Sequence, residues 1–346
     1  MILTGLFAPG AQCSAAAALG MAYFFVLQSQ TAFDVQWCRG NIGQVIFDPW
    51  VQQLKATGKV EFLCSTRVNG FDINKSANGE IPRITNVKCT GVNGEETVIE
   101  SDDVILAVGA KALNNFVRFC PELAEFPEFR RFANLRGTSV LATRLFLDQE
   151  IDITYSANAC WGFDKGIGMT FFDIKALHGS NATTVADAPG SVVEVDYYHS
   201  SSLLTLSDEE IVDKAKKDLD TILGAKCKSS EVLDAAVVRL PEGVNWFFPG
   251  SYQDMPDIKA ESIGNMYFAG DVVHSSHGSW SQEKAFVTGI EAANSVLGRA
   301  PDTGILPLAA DELHVRFGKE AVKIARNIIS GPKKDSGRPS LVDFLF

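Results

Sequence analysis

Residues 265–271 and 281–296 constrain this 346-residue chain more than any other stretch. Met266, Tyr267 and Phe268 form a short apolar run that reads as a strand. Ala269 and Gly270 then leave the backbone open to a close neighbour, and Asp271 places a carboxylate at the strand end. After a polar loop, Ala285, Gly289, Ala292, Ala293 and Val296 recur at helical spacing, so a helix starting near Ser281 carries a face of small residues. Strand, loop and helix in this order form a βα unit. In open α/β sheets ligands gather at the carboxyl ends of the strands. A carboxylate there accepts hydrogen bonds from sugar hydroxyls, and a helix N-terminus aims free N–H groups at an anion.

A second buried strand follows from residues 103–110, which end in Val108, Gly109 and Ala110. Residues 59–71 read as a strand with Val60, Phe62 and Cys64 on one face, and the Asn-Gly pairs at 78–79 and 93–94 mark a β-meander. From Arg136 the pattern changes. Strands are expected at 138–147, 191–198 and 235–240, and Ser207 with Glu210 forms a capping box for a helix that Gly224 stops after Leu223. This block is rich in aromatics: Trp161, Phe163, Phe171, Phe172, Tyr197, Tyr198, Trp246, Phe247 and Phe248. Such rings belong either to a core or to the wall of an apolar substrate site.

Apolar residues make up 46% of the chain and charged residues 21%, which suits a folded protein with a large core. The net charge of −11 argues against nucleic-acid binding, which needs a clustered basic surface. Seven scattered cysteines without a CxxC spacing point to reduced thiols. The first basic residue is Arg39, so no signal or transit peptide is visible, and the apolar run 15–27 is too short to span a bilayer and reads as a buried helix.

The strand ending at Asp271 and the helix after it resemble the C-terminal FAD-binding segment of the flavin amine oxidase and carotenoid (phytoene-type) desaturase superfamily. Gly270, Asp271, Gln282, Glu283, Ala285 and Gly289 carry the match, supported by the run from Phe248 to Tyr252 and by Pro256. The resemblance covers roughly residues 1–314. It implies an α/β fold, with a Rossmann-like FAD-binding domain incomplete at its N-terminus and an α+β substrate domain. The division it implies is a helical part of the substrate domain at 1–57, FAD-binding segments at 58–115 and 249–300, the substrate domain at 116–248, and a C-terminal helix and tail at 301–346. FAD is the implied cofactor. Its contacts are Gly270 and Asp271 at one strand end, Val108 and Gly109 at the other, Val68 beside the adenine, and Ser281, Gln282, Glu283 and Ala285 at the helix start.

Within the family, segments 37–43 and 143–147 resemble carotene desaturase-like members more than amine-oxidising ones, which often place a Tyr before the helix that starts here with Ser281. The implied reaction is hydride removal from an apolar polyene, or its isomerisation, with quinone or oxygen as electron acceptor and a plastid or other membrane surface as the place. No catalytic side chain is named, because the flavin carries the chemistry. No strand–GxGxxG–helix unit stands in the 346 residues, so the expectation is a fragment that binds FAD weakly and leaves a sheet edge uncovered. The alternative is a non-catalytic remnant serving as a lipid- or carotenoid-binding or interaction module. His274 and His277 lack further clustered ligands, so no metal is expected and hydrogen bonding in a polar loop is their role. Ser275, Ser276, Ser279 and Ser281 lack a hydrolase context. Arg316, Lys319, Lys323, Arg326, Lys333, Lys334 and Arg338 form a local basic run suited either to an anionic bilayer or to a solvated helix and tail.

Overall fold

The computed structural model describes residues 2–27, 36–75, 79–164, 166–179, 187–277 and 281–330. The chain opens with helices α1 (Ile2–Leu6) and α2 (Ala15–Ala22), then α3 (Asp48–Ala56). An antiparallel meander follows, β1 (Thr66–Asn74), β2 (Arg83–Gly91) and β3 (Glu96–Glu100). Next come β4 (Val104–Ala107) and the helices α4 (Ala110–Phe119), α5 (Pro121–Ala124) and α6 (Pro127–Phe132). The middle of the chain holds β5 (Gly137–Leu147), β6 (Ala157–Asp164), β7 (Ile167–Asp173), α7 (Ile174–His178), β8 (Val192–Tyr198), α8 (Asp208–Leu223), α9 (Ala225–Ser229) and β9 (Val232–Asn245). It ends with β10 (Met266–Ala269), α10 (Gln282–Val296) and α11 (Leu313–Ser330).

The fold is mixed α/β, as the sequence pattern predicts. β10 pairs parallel with β4, Met266 against Val104 through Ala269 against Ala107. Segments far apart in sequence therefore form two adjacent βα units, β4–α4 and β10–α10. Val104, Leu106, Met266 and Phe268 turn one face of this pair into the larger core, which also takes Leu6, Ala17 and Met21 from the N-terminal helices and Leu123, Phe129 and Phe132 from α5 and α6. Phe132 meets Phe268 edge-on with ring centroids 5.4 Å apart, a favourable quadrupole arrangement. On the opposite face Tyr267 and Ala269 pack against Ala292 of α10.

The second sheet is antiparallel, in the order β6-β7-β8-β5-β9. Strand alternation sends Leu141, Leu145, Val193, Val195, Tyr197 and Phe171 to one face, where Ile211, Ala215 and Leu219 of α8 cover them. The capping box forms: Ser207 Oγ accepts from Glu210 N at 3.2 Å and Glu210 Oε2 accepts from Ser207 N at 2.8 Å. One expected strand is shortened. Residues 59–65 stay outside any ladder, with Val60, Phe62, Leu63 and Cys64 exposed, and the chain turns at Ser65 (φ 56°) before β1 begins at Thr66. Alternation alone cannot hold a strand that no neighbour pairs with. The turn at Asn78, Ser279 and the basic residues Lys333, Lys334 and Arg338 lie outside the described residues, as do the side chains of Trp161, Phe163 and Arg326.

Candidate functional site

The carboxyl ends of β4 and β10 lie side by side. Gly270 adopts φ 124°, where a side chain is strained, and a Cβ there would sit 3.6 Å from the Val108 carbonyl oxygen. Thr288 of α10 fastens this end: its hydroxyl accepts from Gly270 N at 2.9 Å and lies 2.9 Å from the Lys284 carbonyl. Thr288 is fully buried, so the bond is shielded from water. Asp271 accepts a hydrogen bond from Asn245 Nδ2. The same Asn245 uses Oδ1 to accept from Ala110 N at 2.7 Å, capping the first turn of α4. One amide at the end of β9 therefore ties the five-stranded sheet to both parallel strand ends.

Ser281 caps α10, its hydroxyl accepting from Lys284 N at 3.1 Å. The N–H groups of Gln282 and Glu283 have no acceptor among the described residues, and they form the positive end of the helix. Lys284 is buried at 3% exposure and faces Asp271. Burial pushes the Asp271 carboxyl above its usual range, against the pull of Lys284 and the Asn245 bond. Burial lowers the Lys284 ammonium, opposed by Asp271 and Glu291. Each half of this pair offsets part of the other's desolvation. Ala285 is half-buried on the helix face, and at Gly289 an added Cβ would meet nothing within 4 Å.

The structure thus brings together Val108, Gly109, Gly270 and Asp271, with Ser281, Gln282, Glu283 and Ala285 on the helix that Thr288 pins to the same strand end. Val68 stands apart. It pairs with Cys89 in the ladder and lines a separate cleft of about 410 Å³ with Arg67, Asn69, Phe116 and Phe119. β1 is the edge strand of its sheet, and part of its outer backbone is already engaged: Phe71 N donates to Glu122 Oε1 at 2.8 Å and Cys120 Sγ donates to the Asn69 carbonyl at 3.2 Å. His274 has both ring nitrogens engaged, with Asp257 at 2.9 Å and the Tyr252 carbonyl at 2.8 Å, the loop role expected of it.

A cavity of about 560 Å³ opens beside Gln282. Trp37, Cys38, Gly40, Asn41, Ile42 and Ile46 form its roof, Ile174, Leu177 and His178 of α7 one side, and Arg144, Phe172, Glu194 and Asp196 its floor. The floor is the face of the five-stranded sheet opposite α8. The two segments singled out in the sequence, 37–43 and 143–147, meet across this space. Arg144 binds Glu194, with Nε 2.9 Å from Oε2. Asp196 pairs across the ladders with Ala142 and Thr170, both small. Its withdrawal from water, with Glu194 beside it, pushes the Asp196 carboxyl up to about 7. Of the aromatic residues that the sequence left between core and cavity wall, Phe172 lines the cavity. Phe171 and Tyr197 belong to the core under α8, and Phe247 to the core under β4 and β10. The sequence reading missed Asn245, Thr288 and the Glu194–Asp196 floor. Alternation in β8 was the available signal for the last of these.

The sequence model of the family described as flavin containing amine oxidoreductase matches residues 3–297. No curated protein matches the chain. Among solved structures, a proposed protoporphyrinogen oxidase from Exiguobacterium sp. 255-15 is similar at 16% identity and TM-score 0.44, over 65% of this chain and 46% of that one. An oxidoreductase from Methanosarcina mazei is similar at 14% identity and TM-score 0.38, over 68% of this chain and 49% of that one. The chain covers about half the length of each of these structures.

Proposed function

The chain belongs to the flavin-containing amine oxidoreductase family, and from that premise we propose that it is an FAD-dependent oxidoreductase whose substrate lies in the cavity beside Gln282. The observation that carries this reading is the meeting of three features. The glycine strand end with Asp271, the backbone N–H groups of Gln282 and Glu283, and the cavity all adjoin one helix start. The residues fit a flavin. Gly270 and Gly289 leave space, Asp271 offers an acceptor for ribityl hydroxyls, and the start of α10 suits the edge of the ring that turns negative on reduction. Val68 on the edge strand β1, in the cleft with Arg67 and Asn69, is the candidate contact for the adenine. Bound FAD supplies the hydride acceptor. The chain's own residues hold and orient: Asn245 keeps Asp271 in place, Thr288 keeps the strand end against the helix, and residues 36–46 border the cavity.

For the substrate, a polyene of the carotene type is supported by Trp37, Ile42, Ile46, Phe172, Ile174 and Leu177 around the cavity, and by the resemblance of segments 37–43 and 143–147. A second reading, an apolar molecule with a polar end, is favoured by the ionisable floor. Quinone or oxygen would take the electrons. A bilayer surface as the source of substrate is supported by α11, which exposes Leu313, Phe317 and Ile324 on one side with Arg316 and Lys323 beside them. Among the described residues no helix is long and apolar enough to cross a membrane.

Titrating the purified chain with FAD, followed by flavin fluorescence, tests the cofactor site. The expected result is weak but saturable binding, since no GxGxxG backbone cradle for the pyrophosphate stands in these residues, and at least about tenfold further loss in Asp271→Ala. Equal affinity in the two proteins rejects the assignment. No binding in either leaves the remnant reading in its place.

A further inference from the structure

We infer that Lys284 is a positioning residue for the cofactor: its buried ammonium keeps Asp271 in the carboxylate form and so sets the acid limit of flavin binding. The inference rests on reading Asp271 as the acceptor for ribityl hydroxyls, and it concerns a side chain to which that reading assigns no role.

The placement of Lys284 is unfavourable by itself. It stands in the first turn of α10, where the helix dipole disfavours a cation. Its neighbours Gln282 and Glu283 are exposed, yet Lys284 is 3% exposed. Burying an ammonium costs free energy that nearby charge must offset. Two carboxylates do so, Asp271 at the strand end and Glu291 two turns along the helix. Thr288, one turn on from Lys284, holds this face of α10 to Gly270, so the register that brings Lys284 to Asp271 is fixed.

Asp271 depends on that charge. Its other partners are neutral, the Asn245 amide and its own backbone N–H, and burial works against them. Lys284 is the cation that acts on it. Of the remaining charged groups near the strand ends, Lys111 pairs with Glu242 at 2.7 Å and His274 with Asp257 at 2.9 Å. Glu291 has the same sign as Asp271, and its Oε1 accepts from Ser275 Oγ at 3.3 Å. Among the described residues the Lys284 ammonium makes no hydrogen bond to Asp271, so it steadies the charge and leaves Oδ2 for a ligand. A carboxylate accepts hydroxyls at both oxygens, whereas a protonated carboxyl turns one of them into a donor. Burial already holds the Asp271 carboxyl above its usual range. Removing Lys284 moves it further up, so the carboxylate form, and flavin binding with it, is lost at a higher pH.

The test is a pair of pH titrations on the full chain, as wild type, Lys284→Met, Lys284→Arg and Asp271→Asn. The first follows the protonated-carboxyl infrared band without FAD, and its loss in Asp271→Asn identifies the Asp271 contribution. The second follows FAD binding by flavin fluorescence, with circular dichroism at each pH to show that the variant is folded. In Lys284→Met the Asp271 midpoint should rise by at least about one pH unit. The acid limb of FAD binding should move by the same amount, about a tenfold loss on that limb, and the difference should close at higher pH. Lys284→Arg should keep the wild-type profile. Should Lys284→Met not fold, Lys284→Gln removes the charge alone and carries the same expectation. An Asp271 midpoint that does not move overturns the inference, as does a loss of affinity equal at every pH, which is what a merely structural lysine would give. FAD binding with an unshifted acid limb sinks this inference alone. No FAD binding by any of these proteins at any pH sinks the cofactor reading and this inference with it.

Discussion

Asp196 and Glu194 sit two residues apart on β8 and point to the same face, yet only Glu194 has a guanidinium of its own. The sign of the resulting pH effect can be worked out. The Asp196 carboxyl titrates near 7 in the folded chain and near its ordinary value of 3.8 when unfolded. Between those values the folded state holds a proton that the unfolded state has lost, so stability falls as pH rises through the window and levels off above it. Asp196→Asn carries no such proton. The variant should gain on the wild type by about 2 kcal/mol between roughly pH 5.5 and 7.5. Urea unfolding at those two pH values checks this, and parallel profiles would show that Asp196 does not hold the proton. In sequence, Glu194 and Asp196 look like the wet side of an ordinary half-buried strand.

Thr288 plays the corresponding part for α10. The small-residue face was legible because helical spacing is a local property: Ala292 and Val296 do pack under β10. The hydroxyl that fixes the helix to Gly270 was not legible, since Thr in a helix commonly bonds its own preceding turn, as this one also does. Thr288→Val keeps the shape but leaves Gly270 N–H without its acceptor. It should cost roughly 1–3 kcal/mol of stability and weaken FAD binding, because the strand end and helix start lose their register. Denaturant unfolding paired with the FAD titration measures both effects. A variant with full stability and unchanged FAD affinity would show that packing alone sets that register. The capping box at Ser207 was readable in full, because both of its hydrogen bonds close within four residues.

Across the whole molecule, Asn265 is the joint between the meander and the parallel strand pair. It is completely buried. Its Oδ1 accepts from Ile84 N at 2.8 Å, and its Nδ2 donates to the Ile84 carbonyl at 2.8 Å and the Asp102 carbonyl at 2.7 Å. Asn265→Ala would strand three backbone groups away from water. The expected loss is roughly 2–4 kcal/mol, read as a lower unfolding midpoint. A change under about 0.5 kcal/mol would mean that water replaces the amide at no cost. Glu128 works in the same way at longer range, its two oxygens accepting from Glu261 N and Ser262 N at 3.0 Å each.

What the sequence by itself determined is the content of the local units: the β10–α10 turn with Gly270 and Asp271, the small-residue helix face, the capped helix α8 and the strands on either side of it. Each depends on residues within one or two turns of one another, so spacing and side-chain type suffice. Tertiary structure decided which units meet. It set β10 beside β4, placed Asn245 between two strand ends, and left residues 59–65 without a ladder. It also laid residues 36–46 over the polar face of β8. The same alternation of Val193, Glu194, Val195 and Asp196 would serve a sheet facing water. Only the segment folded across it turns those carboxylates into the floor of a cavity, because the cost of ionising a carboxyl depends on what excludes water from it and not on its neighbours in sequence.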